Sequence, residues 1–85
     1  MNATVTLAAR LRLIQGFQSL REFSRKINRP PTTVRLWLKD PGGVIPDVMT
    51  LYDVADKTGR SPHWLITGEG PEYAEDFKAA LTRSA

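Results

Sequence analysis

The chain is cut into short runs of helical period by residues that stop helices, and this punctuation leaves little room for any other fold. Apolar residues recur at three- and four-residue spacing, while alternating apolar-polar strand patterns are scarce. Between the runs stand Gly16, Asn28, Pro30-Pro31, Asp40-Pro41-Gly42-Gly43, Gly59 and Ser61-Pro62. Each is a residue type that ends a helix, starts one or makes a turn. An all-α bundle of five short helices over residues 4 to 68 is therefore expected.

The first helix starts after Thr4 or Thr6 as N-cap and runs to about Gln15. It turns Leu7, Leu11 and Ile14 inward and Arg10 and Arg12 outward, and Gly16 ends it. Ser19-Leu20-Arg21-Glu22 has the form of a capping box, in which hydroxyl and carboxylate satisfy orphan backbone donors, so a second helix begins near Leu20. Leu20, Phe23 and Ile27 face inward, Ser24 is small where the next helix must pass closely, and Asn28 tolerates a left-handed turn. Pro30-Pro31 suits a helix start, where the missing N–H would be unpaired anyway. The third helix then runs to about Lys39, with Val34, Trp37 and Leu38 inward and Thr32, Thr33, Arg35, Leu36 and Lys39 outward.

Pro46-Asp47 opens a fourth helix with the stripe Val48, Leu51, Val54 and Ala55, closed by Gly59. Ser61-Pro62 opens a short fifth, anchored by Trp64 and Leu65; Trp37 and Trp64 read as core anchors. After Pro71, Tyr73, Phe77, Ala80 and Leu81 share one side, with acids early and Lys78 and Arg83 late, the order the helix dipole favours. Residues 71–85 thus read either as a sixth helix or as a linker.

Eighty-five residues make one small domain, better suited to binding than to an enzyme with separate substrate and cofactor lobes. Without cysteine, disulfides, thiolate zinc sites and cysteine nucleophiles are excluded, and the single His63 removes most other metal sites. Asp53 and Asp56 have no nucleophile or ligand cluster beside them and read as charge balance. Thr67-Gly68-Glu69-Gly70 is too short for a phosphate-cradling loop and reads as a helix stop and turn. No apolar run approaches the roughly 20 residues that span a bilayer, and the N-terminus lacks a leader pattern. The expectation is a soluble cytoplasmic protein with no cofactor, no small-molecule ligand and no membrane partner.

Charge divides the chain. Residues 1–39 hold eight Lys/Arg against one Asp/Glu, whereas residues 40–85 hold four against eight, giving a net +3 overall. Six of the basic residues fall within Ser19–Lys39, the two short helices and their turn. A basic helix-turn-helix is the footprint of an element that reads DNA.

Phe23-Ser24, Asn28, Val34 and Trp37, at their spacing, resemble the helix-turn-helix of the phage lambda repressor and Cro superfamily, also called the XRE family. There the Ser24 position is small, usually Ala, and the Asn28 position usually Gly. A second match, Ile45-Pro46 followed by Leu51, Val54-Ala55, Gly59, Ser61-Pro62 and Trp64-Leu65-Ile66-Thr67-Gly68-Glu69-Gly70-Pro71, resembles the end of many prophage repressor DNA-binding domains. The chain departs from the pattern at Asn28, at Arg29, where the family buries an aliphatic residue, and at Pro30-Pro31.

The resemblance implies a compact five-helix lambda-repressor-like bundle, with residues 1–70 as a helix-turn-helix domain and 71–85 as a dimerisation element or linker to a further domain. It implies a repressor that binds a palindromic double-stranded DNA operator as a homodimer. Pro31, Thr32, Arg35 and Leu36 are the implied base contacts. Arg21, Arg29, Thr33 and Lys39 are assigned to phosphate, and Arg25 and Lys26 to a solvated face. Three phosphate contacts per protomer predict a salt slope near −5 for a dimer. The dimer contact is expected on the least basic part, helix five and Tyr73, Phe77 and Leu81. The alternative is an antitoxin-like module that grips another protein through that surface and binds DNA weakly.

Overall fold

The computed structural model describes residues 6–39 and 43–84. They form six helices: α1 (Leu7–Gln15), α2 (Leu20–Lys26), α3 (Pro31–Leu38), α4 (Val48–Thr58), α5 (Pro62–Thr67) and α6 (Ala74–Ser84). No strand occurs among the described residues, although an isolated antiparallel bridge joins Arg60 to Tyr73. Residues 71–85 therefore contain a sixth helix rather than a plain linker. The expected loop at Asp40-Pro41-Gly42 lies outside the described residues, as does Thr4.

The helices start where short polar side chains can accept from free backbone N–H groups. Thr6 Oγ1 accepts from the Ala9 N–H at 3.1 Å, Asp47 Oδ1 from Thr50 at 2.8 Å, and Ser61 Oγ from Trp64 at 3.4 Å. At α2 the capping box is complete: Ser19 Oγ accepts from the Glu22 N–H at 3.1 Å and Glu22 accepts from the Ser19 N–H at 2.8 Å. Asp47 is held below the usual carboxylate range chiefly by its hydrogen bonds from Thr50, with burial opposing them and the charge of Arg29 adding a lesser lowering.

One apolar core joins the first five helices. Leu11, Phe23, Ile27, Val34, Val54, Ala55 and Leu65 are fully buried, with Ile14, Trp37, Leu51 and Trp64 almost so. Full burial of such a side chain stabilises the fold by about 1.5–3 kcal/mol, and both tryptophans belong to this core, as their helical spacing predicts. Helix α3 packs on α1 and α2, and α5 packs on α1 and α4.

Two expectations fail here. Arg10 is buried, 7% exposed, rather than outward. It lies at i+3 from Leu7 and i−4 from Ile14, on the apolar stripe itself. Its guanidinium donates from Nε to the Leu65 carbonyl at 2.9 Å and from NH2 to the Ile66 carbonyl at 3.2 Å. A cation thereby meets the negative end of α5, and burial lowers its pKa. Gly68 ends α5 at φ +80°, and a Cβ there would come within 2.8 Å of the same guanidinium. Val48, expected inward, is 52% exposed because it sits in the first turn of α4, where the stripe has run past the core.

Candidate nucleic-acid interface

The α2–turn–α3 unit is built by local backbone chemistry. Asn28 takes the left-handed conformation at φ +56°, which its short polar side chain tolerates. The Asn28 N–H donates to the Arg25 carbonyl at 3.1 Å and the Arg29 N–H to the Ser24 carbonyl at 3.0 Å, closing the end of α2. Ser24 is 1% exposed, where a larger side chain would push the two helices apart. Its hydroxyl has no hydrogen-bond partner.

Helix α3 then starts at Pro31 with no side-chain cap and no acid in its first turn. Val34 and Trp37 anchor it from behind, at 0% and 6% exposure. Thr32, Arg35, Leu36 and Lys39 stand at i, i+3, i+4 and i+7, so they fall on one face, and all four are exposed, as is Pro31. Arg35, Leu36, Leu38 and Lys39 line a shallow depression of about 440 Å³ on this surface. Thr33, expected outward, is half-buried.

The far end of α3 is fastened by two contacts. Arg12, expected to point away, is exposed but donates from NH1 to the Leu38 carbonyl. The Val44 N–H donates to the Leu36 carbonyl at 3.2 Å, and a Cβ on Gly43 would overlap the carbonyl oxygens of Leu36 and Lys39. Residue 43 can therefore sit this close to the end of α3 only because it is glycine.

Arg21 lies exposed in the first turn of α2. Arg29 is not equally available. Its NH2 sits 3.1 Å from Asp53 Oδ2, and its NH1 donates to the carbonyls of Ile27 and Asn28 at 3.3 Å each. Asp53 also accepts from Lys57 at 2.8 Å, and that hydrogen bond, followed by the charges of Lys57 and Arg29, holds its carboxyl below the usual range. The sequence reads Arg29 as a phosphate contact and Asp53 as charge balance; the structure joins them into a brace between the turn and α4.

The three residues expected at a dimer contact lie in and just before α6. Tyr73 and Leu81 are exposed and Phe77 is half-buried. Arg60 lies over the Tyr73 ring at 4.5 Å and pairs with Glu72 at 2.9 Å. His63, exposed as expected, stacks on Phe77 with ring centroids 5.7 Å apart. Comparison with protein-family models, with curated proteins and with solved structures gives no match. Among the described residues no helix is long and apolar enough to cross a membrane. In physical terms the described residues form an all-α bundle in which α3, with Arg35 exposed on it and Lys39 at its end, follows a tight turn.

Proposed function

We propose that the protein is a sequence-specific DNA-binding regulator that inserts α3 into the major groove. One observation carries this reading: Thr32, Arg35, Leu36 and Lys39 form a single exposed stripe on a helix anchored from behind by Val34 and Trp37. A recognition helix needs this pairing of a rigid inner face and a polar outer one. Arg35 supplies a planar fork that matches guanine O6 and N7, and Thr32 and Leu36 offer a base-edge bond and contact with a thymine methyl. Pro31 contributes apolar contact at the helix start.

Arg21 and Lys39 would hold phosphate on either side of the stripe and fix register without reading sequence. Thr33, half-buried, would offer its hydroxyl to a phosphate at the first turn. Arg29 keeps the turn seated on α4 and acts on DNA through that geometry. The chain acts as a phage-type repressor, whose occupation of an operator excludes polymerase. Two copies related by a two-fold axis would read inverted half-sites about 34 Å apart.

Arg35→Ala tests the assignment. With a duplex selected by the wild-type protein, affinity should fall by about 5- to 150-fold, the equivalent of 1–3 kcal/mol for a lost bidentate base contact. Affinity for an unrelated duplex should change little. Equal affinity of the variant and the wild type for the selected duplex would remove α3 as the reading element.

A further inference from the structure

The turn between α2 and α3 carries a cation that is already engaged. Arg29 stands two residues before Pro31, the first residue of α3. Its NH2 lies 3.1 Å from Asp53 Oδ2, and its NH1 donates to the Ile27 and Asn28 carbonyls at 3.3 Å each. The backbone of the turn is closed without that carboxylate, by the Asn28 N–H on the Arg25 carbonyl and the Arg29 N–H on the Ser24 carbonyl, and Ile27 is fully buried. Beyond tying the turn to α4, Asp53 therefore adds charge. Its Oδ2 also accepts from Lys57 at 2.8 Å, and that hydrogen bond foremost holds the carboxyl below the usual range, so it is ionised at neutral pH.

A carboxylate and a DNA phosphate offer a guanidinium the same kind of acceptor, a pair of anionic oxygens. Arg29 can take up a phosphate only by leaving Asp53, and it would leave that carboxylate bare beside the incoming anion, where like charges repel. The pair is open to such an exchange, because the two side chains are 27% and 34% exposed. Arg21, Arg35 and Lys39 differ from Arg29 on this point: all three are exposed and make no ion pair among the described residues.

We propose that Asp53 is a positioning residue that competes with DNA from within the chain: it stands in for a phosphate on Arg29 and withholds one cation per protomer from the DNA backbone. This deepens the DNA-binding reading, on which it rests. Phosphate contacts set the strength and the salt dependence of binding and carry no sequence information. Asp53 thus weakens the complex with every duplex alike and makes it less sensitive to salt, while the base contacts of α3 are untouched.

The test is fluorescence-anisotropy titration of the full chain with a duplex selected by the wild type and with a shuffled duplex, at salt from about 50 to 200 mM. Far-UV circular dichroism checks folding, and Asp53→Ser stands beside the isosteric Asp53→Asn as a second neutral variant. Either should bind both duplexes about threefold or more tighter at the low-salt end, and log K should fall with log salt more steeply, by about 0.9 for each protomer bound. Adding Arg29→Gln to Asp53→Asn should return the slope to the wild-type value. Asp56→Asn removes an equal charge from an exposed position one turn along α4 without freeing Arg29, and should not steepen it. An unmoved slope in both neutral variants, a steepening that survives Arg29→Gln, or an equal steepening by Asp56→Asn would each overturn the proposal. A wild type that binds no duplex overturns the DNA reading and this proposal together, whereas selective wild-type binding with an unmoved Asp53→Asn slope overturns this proposal alone.

Discussion

Replacing Ser24 by alanine should make the protein more stable, although it removes a polar group from the centre of the helix-turn-helix. Ser24 is 1% exposed and its hydroxyl has no partner. A buried donor left unpaired costs roughly 1–3 kcal/mol, and alanine is better by several tenths of a kcal/mol in a helix interior. Against these stands the small loss of contact made by one oxygen. A net gain of about 1–2 kcal/mol follows. For 85 residues an unfolding entropy near 2.1 cal/mol/K per residue gives about 0.18 kcal/mol/K, so the melting temperature should rise by about 6–11 °C. Thermal melts followed by circular dichroism, with urea titrations to confirm an unchanged m-value, would measure it. Ser24→Val is the companion variant: its extra volume at the α2–α3 crossing should destabilise by about 1–3 kcal/mol. An alanine variant that melts at or below the wild-type temperature would refute the reasoning, because the hydroxyl would then have a partner and the crossing would not be dry.

The Arg10 clasp and the capping carboxylates give further expectations. Arg10→Met should cost about 2–4 kcal/mol in urea unfolding, because the Leu65 and Ile66 carbonyls lose a charged donor at a buried helix end; Gly68→Ala should move stability the same way, and wild-type stability in either variant would contradict the clasp. Asp47 and Asp53 both have lowered folded pKa values, so the unfolded chain takes up protons first as pH falls. Their contribution is complete above the ordinary carboxylate value of about 4 and drains away as pH drops from there through the lowered folded values. Melting temperature measured against pH should show that acid limb, and Asp47→Asn, which keeps the cap acceptor, should make it shallower; an identical limb would count against Asp47 as a contributor.

Helix boundaries were legible because capping is local. Thr6, Ser19, Asp47 and Ser61 each accept from an N–H three residues on, a relation that sequence spacing contains in full. Asn28 could be placed in the left-handed region for the same reason. Arg10 was misplaced because its partners lie 55 and 56 residues away, and a charge on an apolar stripe is ordinarily solvated. The signal was present in its i+3 and i−4 relation to Leu7 and Ile14, but its destination was not. The ion pair of Arg29 with Asp53 joins the turn to a helix whose approach no local pattern specifies. Val48 shows the converse: periodicity marks a stripe correctly and does not say where the core ends along it. Within the candidate interface, the outward set Thr32, Arg35, Leu36 and Lys39 follows from helical phase alone, whereas the half-burial of Thr33 depends on tertiary packing that helical phase does not contain.

The central claim is that α3 reads DNA sequence, and selection of bound duplexes from a randomised library at about 150 mM salt, where phosphate-only binding is weak, tests it most directly. The account predicts enrichment of inverted half-sites with centres about 10 base pairs apart, and loss of that enrichment at a guanine position in the Arg35→Ala protein. Recovery of no preferred sequence, or of the same sequence with the same strength by Arg35→Ala, would contradict it.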